Sequence, residues 1–115
     1  TVEEPLDLPG ALAEAAGPGR TVLVDCLTLW LSNLLGHERD VAAERTRLCD
    51  ALAALRGPAV LVSNEVGQGV IPDNKLARIF VDESGRLHQA VAATAGRVVF
   101  VTAGLPQTLK DTTAT

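Results

Sequence analysis

The chain has no methionine and no tyrosine, and Trp30, Phe80 and Phe100 are its only aromatic residues. A core must therefore be built from Leu, Val and Ala, which are plentiful, since 47% of the residues are apolar. Without a methionine the sequence does not start at an initiator residue. The expectation is an N-terminal part that was removed or is not represented, with initiator processing as the alternative. Basic residues are outnumbered: the net charge is −4 and the pI about 5.0. No basic patch with interleaved aromatics is present, which excludes a general nucleic-acid binder. No apolar run is long enough to span a bilayer, and no signal peptide is visible. Cysteine is scarce as well. Cys26 and Cys49 lie far apart in apolar surroundings and read as buried free thiols of a reducing, cytoplasmic compartment. His37 and His88 are isolated from other ligand types, so no metal-binding spacing exists around them.

At 115 residues the chain is one domain at most. An extended lead-in over 1–8 carries the acids Glu3, Glu4 and Asp7. Pro9 suits the first turn of a short helix over 10–16, which Gly17-Pro18-Gly19 ends. A strand is expected over 21–25, and a buried helix over 27–35, apolar nearly all round. An amphipathic helix over 41–55 stops at Gly57-Pro58. A second strand over 59–63 leads into a loop over 64–73. Helices over 74–80 and 86–95 are expected, separated by a turn at Ser84-Gly85. The third strand covers 97–102, and 112–115 should fray. Strands alternating with helices imply a parallel sheet with helices on both faces. Apolar strands of this kind need cover on both faces and neighbours on both edges. At least one further strand, from a missing N-terminal part or a partner chain, is therefore expected.

Two strand ends carry the chemistry. The run Ala59-Val60-Leu61-Val62-Ser63 ends in Asn64 and Glu65, followed by a loop with Gly67 and Gly69 that Pro72 closes. In open α/β sheets, ligands bind beyond the carboxyl ends of the strands. Thr21-Val22-Leu23-Val24 ends in Asp25, the form of the second acidic motif of P-loop nucleotide-binding proteins. The competing readings are a solvated strand end or a helix cap for Asp25, and a turn cap for Glu65. Gly67 and Gly69 permit positive φ or close backbone approach, or form a plain loop. Lys75 and Arg78 lie within a turn of each other and either face phosphate or are solvated helix charges. His88 reads as a polar helix residue.

Several motifs in order resemble one family. They are Asn64-Glu65-Val66-Gly67-x-Gly69-Val70-Ile71-Pro72, then Leu76-Ala77-Arg78-x-Phe80-x-Asp82, then Gly85-Arg86-Leu87-x-Gln89. Upstream, Asp25-Cys26-Leu27-Thr28 is followed by Asn33-Leu34-Leu35. Gly104-Leu105-Pro106-x-x-Leu109-Lys110 resembles the family's ending, and Thr1-Val2-Glu3-Glu4-Pro5 a segment that follows a Trp. Together they resemble the bifunctional adenosylcobinamide kinase / adenosylcobinamide-phosphate guanylyltransferase family. His88 stands where that family usually has Asn, and Val81 where Arg is common. No Gly-x-x-x-x-Gly-Lys-Ser/Thr occurs in the chain. On the resemblance the P-loop and the guanylylated histidine lie further toward the N-terminus, and this chain is the C-terminal two-thirds.

The resemblance implies a RecA-like P-loop fold, a trimer, and a two-step transferase of cobalamin biosynthesis. A nucleoside triphosphate, GTP or ATP with Mg²⁺, first phosphorylates a hydroxyl of adenosylcobinamide. GMP then passes from GTP through a histidine to the new phosphate, giving adenosylcobinamide-GDP. It places Glu3 near guanine, where a carboxylate accepts from the N1–H and N2 amino groups. It assigns Asp25 to the GTP site, as a base or metal contact. Asn64, Glu65, Lys75 and Arg78 are candidate substrate or phosphate contacts. Two alternatives stay open: a non-catalytic α/β binding module, or a fragment of another P-loop kinase.

Overall fold

The computed structural model describes residues 1–65 and 74–112. Its elements in chain order are α1 (Leu8–Ala15), β1 (Val22–Asp25), α2 (Leu27–Gly36), α3 (Val41–Ala53), β2 (Ala59–Val62), α4 (Lys75–Thr94), β3 (Arg97–Thr102) and β4 (Leu105–Asp111). Gly67 and Gly69, with the rest of the expected loop over 66–73, lie outside the described residues, as do 113–115.

Local chemistry sets the helix starts. Asp7 and Asp40 cap α1 and α3 by accepting from the Gly10 and Ala43 N–H groups, both at 3.1 Å. Asn74 caps α4 by accepting from Ala77 N–H at 2.7 Å. Each cap satisfies a backbone donor that the helix itself leaves open. The Gly10 N–H, with Arg47 next to it, holds the Asp7 carboxyl below its usual range. A carboxylate whose folded pKa is lowered stabilises above its unfolded pKa, and the gain is lost as pH falls through the folded value. Asp7→Ala is expected to cost about 1 kcal/mol at pH 7. The difference from the parent should shrink below about pH 4, where the free carboxyl titrates. Thermal melts of both proteins across this range check it.

The core is helical. The apolar run after β1 makes α2 the central element, with Leu27, Trp30, Leu31 and Leu34 buried. Leu12 of α1, Val24 of β1, Leu48 of α3, and Leu87 and Val91 of α4 complete the cluster. The Trp30 indole donates to the Leu6 carbonyl at 2.8 Å, and Asn33 donates its amide to the Pro5 carbonyl at 3.1 Å. These two bonds tie the lead-in to α2.

β1 and β2 pair in parallel, with Val22 beside Ala59 and Asp25 beside Val62. Period-two alternation turns Val24 inward and leaves Leu23, Val60 and Val62 exposed, Leu23 by 65%. The expectation of helices on both sheet faces is thus corrected: among the described residues the outer face of this pair is bare. Placing the third strand beside the other two is corrected as well. β3 pairs antiparallel with β4 in a separate two-stranded sheet. Ala103 and Gly104 form the two-residue connection with φ of 52° and 76°. Positive φ at both positions is what a tight hairpin of this twist demands. Lys110 of β4 donates its ammonium to the carbonyls of Ala92 and Ala93, at 2.8 and 3.2 Å. A cation there satisfies open carbonyls at the negative end of α4.

The expected turn at Ser84-Gly85 is also corrected, because α4 runs through it without a break. Ser84 is 1% exposed, so a small side chain lets α4 sit close on its neighbours. Cys26 and Cys49 are free thiols as expected, but half-buried rather than buried.

One glycine is set by crowding. A Cβ on Gly57 would lie 2.5 Å from the Gly17 carbonyl oxygen and 2.9 Å from that of Arg20. Both obstacles are backbone, so the turn that leads into β1 has to move. Gly57→Ala is expected to destabilise by about 1–3 kcal/mol. Denaturant melts with an unchanged midpoint would show that this approach is not needed.

Candidate functional site

The parallel register brings the carboxyl ends of β1 and β2 together, since Asp25 and Val62 are partners. Asp25 shares the outer face with Leu23 and is exposed. Its side chain makes no hydrogen bond or ion pair with a described residue, so its carboxylate is open to a ligand. A solvated end fits the same geometry. Cys26 follows at the start of α2 without a side-chain capping bond.

Of the three residues after β2, two are hydrogen-bonded to helix-borne side chains and the third faces one. Ser63 Oγ lies 2.6 Å from His88 Nε2. Asn64 donates its amide to Thr28 Oγ1 at 3.3 Å, and that hydroxyl also lies 3.2 Å from Cys26 Sγ. Glu65 returns to His88, its carboxylate 3.7 Å from Nδ1. Ser63 continues the inward positions of β2 toward α4, whereas Asn64 reaches α2. With the proton on Nδ1, the imidazole faces the Glu65 carboxylate through a donor and accepts the Ser63 hydroxyl through Nε2.

Of the residues singled out by sequence, Asp25, Asn64 and Glu65 therefore gather at one edge. Lys75 and Arg78 do not join them along the helix. They lie 13 and 10 residues before His88 on α4, which is about 20 and 15 Å at the helical rise. Glu3 is exposed in the lead-in. Its neighbours Pro5 and Leu6 are tied to Asn33 and Trp30, and Asn33 is eight residues past Asp25, about 12 Å along α2. Sequence reasoning missed His88 as the anchor of this edge. Read as one continuous helix, 84, 87, 88 and 91 share a face, and that period was the available signal. Thr28, buried within α2, is a second anchor whose only sequence signal is its place in the Asp25-Cys26-Leu27-Thr28 motif.

Among the described residues, no group of three or more His, Cys, Asp or Glu is placed to hold a metal ion. No helix there is long and apolar enough to cross a membrane.

A family model described as cobinamide kinase / cobinamide phosphate guanyltransferase matches residues 1–109. The bifunctional adenosylcobalamin biosynthesis protein CobP of Pseudomonas aeruginosa is 51% identical over 112 residues, covering 96% of this chain and 65% of that protein. Proteins named bifunctional adenosylcobalamin biosynthesis protein CobU match from Escherichia coli and Salmonella typhimurium. The first is 34% identical, covering 96% of this chain and 69% of the relative. The second is 39% identical, covering 81% and 60%. The chain thus spans about two thirds of the length of these curated relatives. Matched by the family model along nearly its whole length, the chain belongs to the cobinamide kinase / cobinamide phosphate guanyltransferase family.

Proposed function

We propose that this chain serves a bifunctional transferase of cobalamin biosynthesis. A nucleoside triphosphate phosphorylates a hydroxyl of adenosylcobinamide, and GMP then passes from GTP to the phosphate, giving adenosylcobinamide-GDP. The observation that carries the reading is the gathering of Asp25, Ser63, Asn64 and Glu65 at the carboxyl ends of a parallel strand pair, in a chain of this family. That edge is where α/β sheets bind nucleotides and their acceptors.

Glu3 and Asp25 belong to the GTP site in this reading. The lead-in that carries Glu3 is tied to Asn33, about 12 Å along α2 from Asp25, which supports a division of labour. Glu3 accepts from the guanine N–H donors, and Asp25 lies toward the phosphates. GTP is the guanylyl donor, and ATP the alternative to it in the kinase step. The donor set suits Mg²⁺, which binds through one or two carboxylates and completes its shell with phosphate and water. Asp25 is the residue that would hold it, and when bound the ion would neutralise phosphate charge. Asn64 and Glu65 contact the acceptor, and Lys75 and Arg78 are kept for phosphate at the other end of α4. A RecA-like P-loop architecture, a homotrimer and a cytoplasmic location complete the reading. Its test supplies the protein as its gene encodes it with adenosylcobinamide, GTP and Mg²⁺, and follows products by mass spectrometry. Adenosylcobinamide phosphate and then adenosylcobinamide-GDP are expected. Unchanged cobinamide under conditions where GTP binds would overturn it.

A further inference from the structure

We propose that His88 is a positioning residue that presents Asn64 and Glu65 to the acceptor substrate, a proposal that rests on the function proposed above. The segment after β2 has no regular structure of its own over 63–65. An unsupported segment of this kind samples many directions, and each residue fixed costs roughly 1–2 kcal/mol of entropy in advance of binding. Here that ordering is already in place. His88 reaches Ser63 with one ring nitrogen and faces Glu65 with the other. Thr28 of α2 holds Asn64. One imidazole therefore anchors Ser63 to α4 by a hydrogen bond and turns its other nitrogen toward the Glu65 carboxylate on the far side of Asn64.

The held groups are a hydroxyl, an amide and a carboxylate. None of them is cationic, and the carboxylate repels a triphosphate. Lys75 and Arg78 lie about three to four turns away along α4. The 63–65 segment is thus suited to a hydroxyl-bearing acceptor, while the nucleotide falls to the Asp25 side of the edge, and His88 acts on the acceptor through Ser63 and Glu65 without touching it.

The test uses the protein as its gene encodes it, with His88→Leu, His88→Gln and Ser63→Ala. Leu fills the space without hydrogen bonds, while the Gln amide extends to the position of Nε2. Steady-state kinetics give KM for adenosylcobinamide and for GTP separately, and thermal melts report folding. His88→Leu is expected to raise KM for adenosylcobinamide about tenfold, the loss of its one well-placed hydrogen bond to Ser63 together with the approach to Glu65. KM for GTP should stay within about twofold, and His88→Gln should recover most of the loss. Ser63→Ala should shift the same constant in the same direction, and the His88→Leu/Ser63→Ala double variant should be no worse than the more impaired single variant. An unchanged KM for adenosylcobinamide in His88→Leu, or equal rises for both substrates, would overturn the positioning role alone. Absence of any product with the parent protein would overturn the functional reading and this one with it.

Discussion

Incubated with radiolabelled GTP and adenosylcobinamide, the 115-residue chain by itself is expected to take up no covalent guanylyl label and to form no adenosylcobinamide phosphate. Transfer of phosphoryl groups depends almost wholly on holding the phosphates and neutralising the charge that develops on them. The chain contains no Gly-rich phosphate cradle ending in Lys. Orientation alone supplies about 7–11 kcal/mol in such reactions, so a chain without it should fall below any practical assay. Its two histidines are also poorly placed as nucleophiles. His37 Nδ1 lies 2.9 Å from the Asn33 carbonyl, and His88 is engaged by Ser63. An acid-labile label mapped to either one would overturn this expectation.

Leu31→Ala should have the largest effect on stability. Leu31 is fully buried in the middle of α2, and the core from α1, α3 and α4 is built around that helix. Removing three carbons there loses transfer energy and leaves a cavity, about 3–5 kcal/mol in a site that collapses poorly. Against a total of about 5–15 kcal/mol this is a large share. The melting temperature should fall by on the order of 10–20 °C. Leu29, on the opposite side of α2 and 59% exposed, is the matched control. Leu29→Ala should change the melt by less than about 1 kcal/mol. Equal losses at both positions would contradict the packing described.

The strand ends were legible because an apolar run that stops at a polar residue marks where a buried strand comes out to water. Asp25, Asn64 and Glu65 were located in this way, and the structure places them on one edge. The same apolar runs misled about their cover, since Leu23, Val60 and Val62 face outward from the strand pair. Ser84-Gly85 reads locally as a break, yet α4 continues because Phe80, Leu87 and Val91 hold its face against the core. β4 was missed because Pro106, Lys110 and Asp111 make the segment look like a tail. A proline is tolerated in such an edge strand, where its missing N–H removes no central ladder bond. The helical period puts His88 on the inward face of α4, but its partner Ser63 is 25 residues away and local sequence does not identify it.

Titration of GTP into the protein as its gene encodes it, and into its Asp25→Asn and Glu3→Gln variants, tests most directly whether the strand edge is a nucleotide site. Asp25 has an open carboxylate beside the parallel pair, and Glu3 is exposed where the lead-in meets α2. Losing a charged acceptor that a ligand has desolvated costs about 1–3 kcal/mol, so each variant should bind GTP on the order of tenfold more weakly. Melting temperatures in the absence of GTP should be unchanged, because neither side chain has a partner among the described residues. Unaltered GTP affinity in both variants, with folding intact, would contradict the nucleotide site and leave the two acids as solvated surface groups.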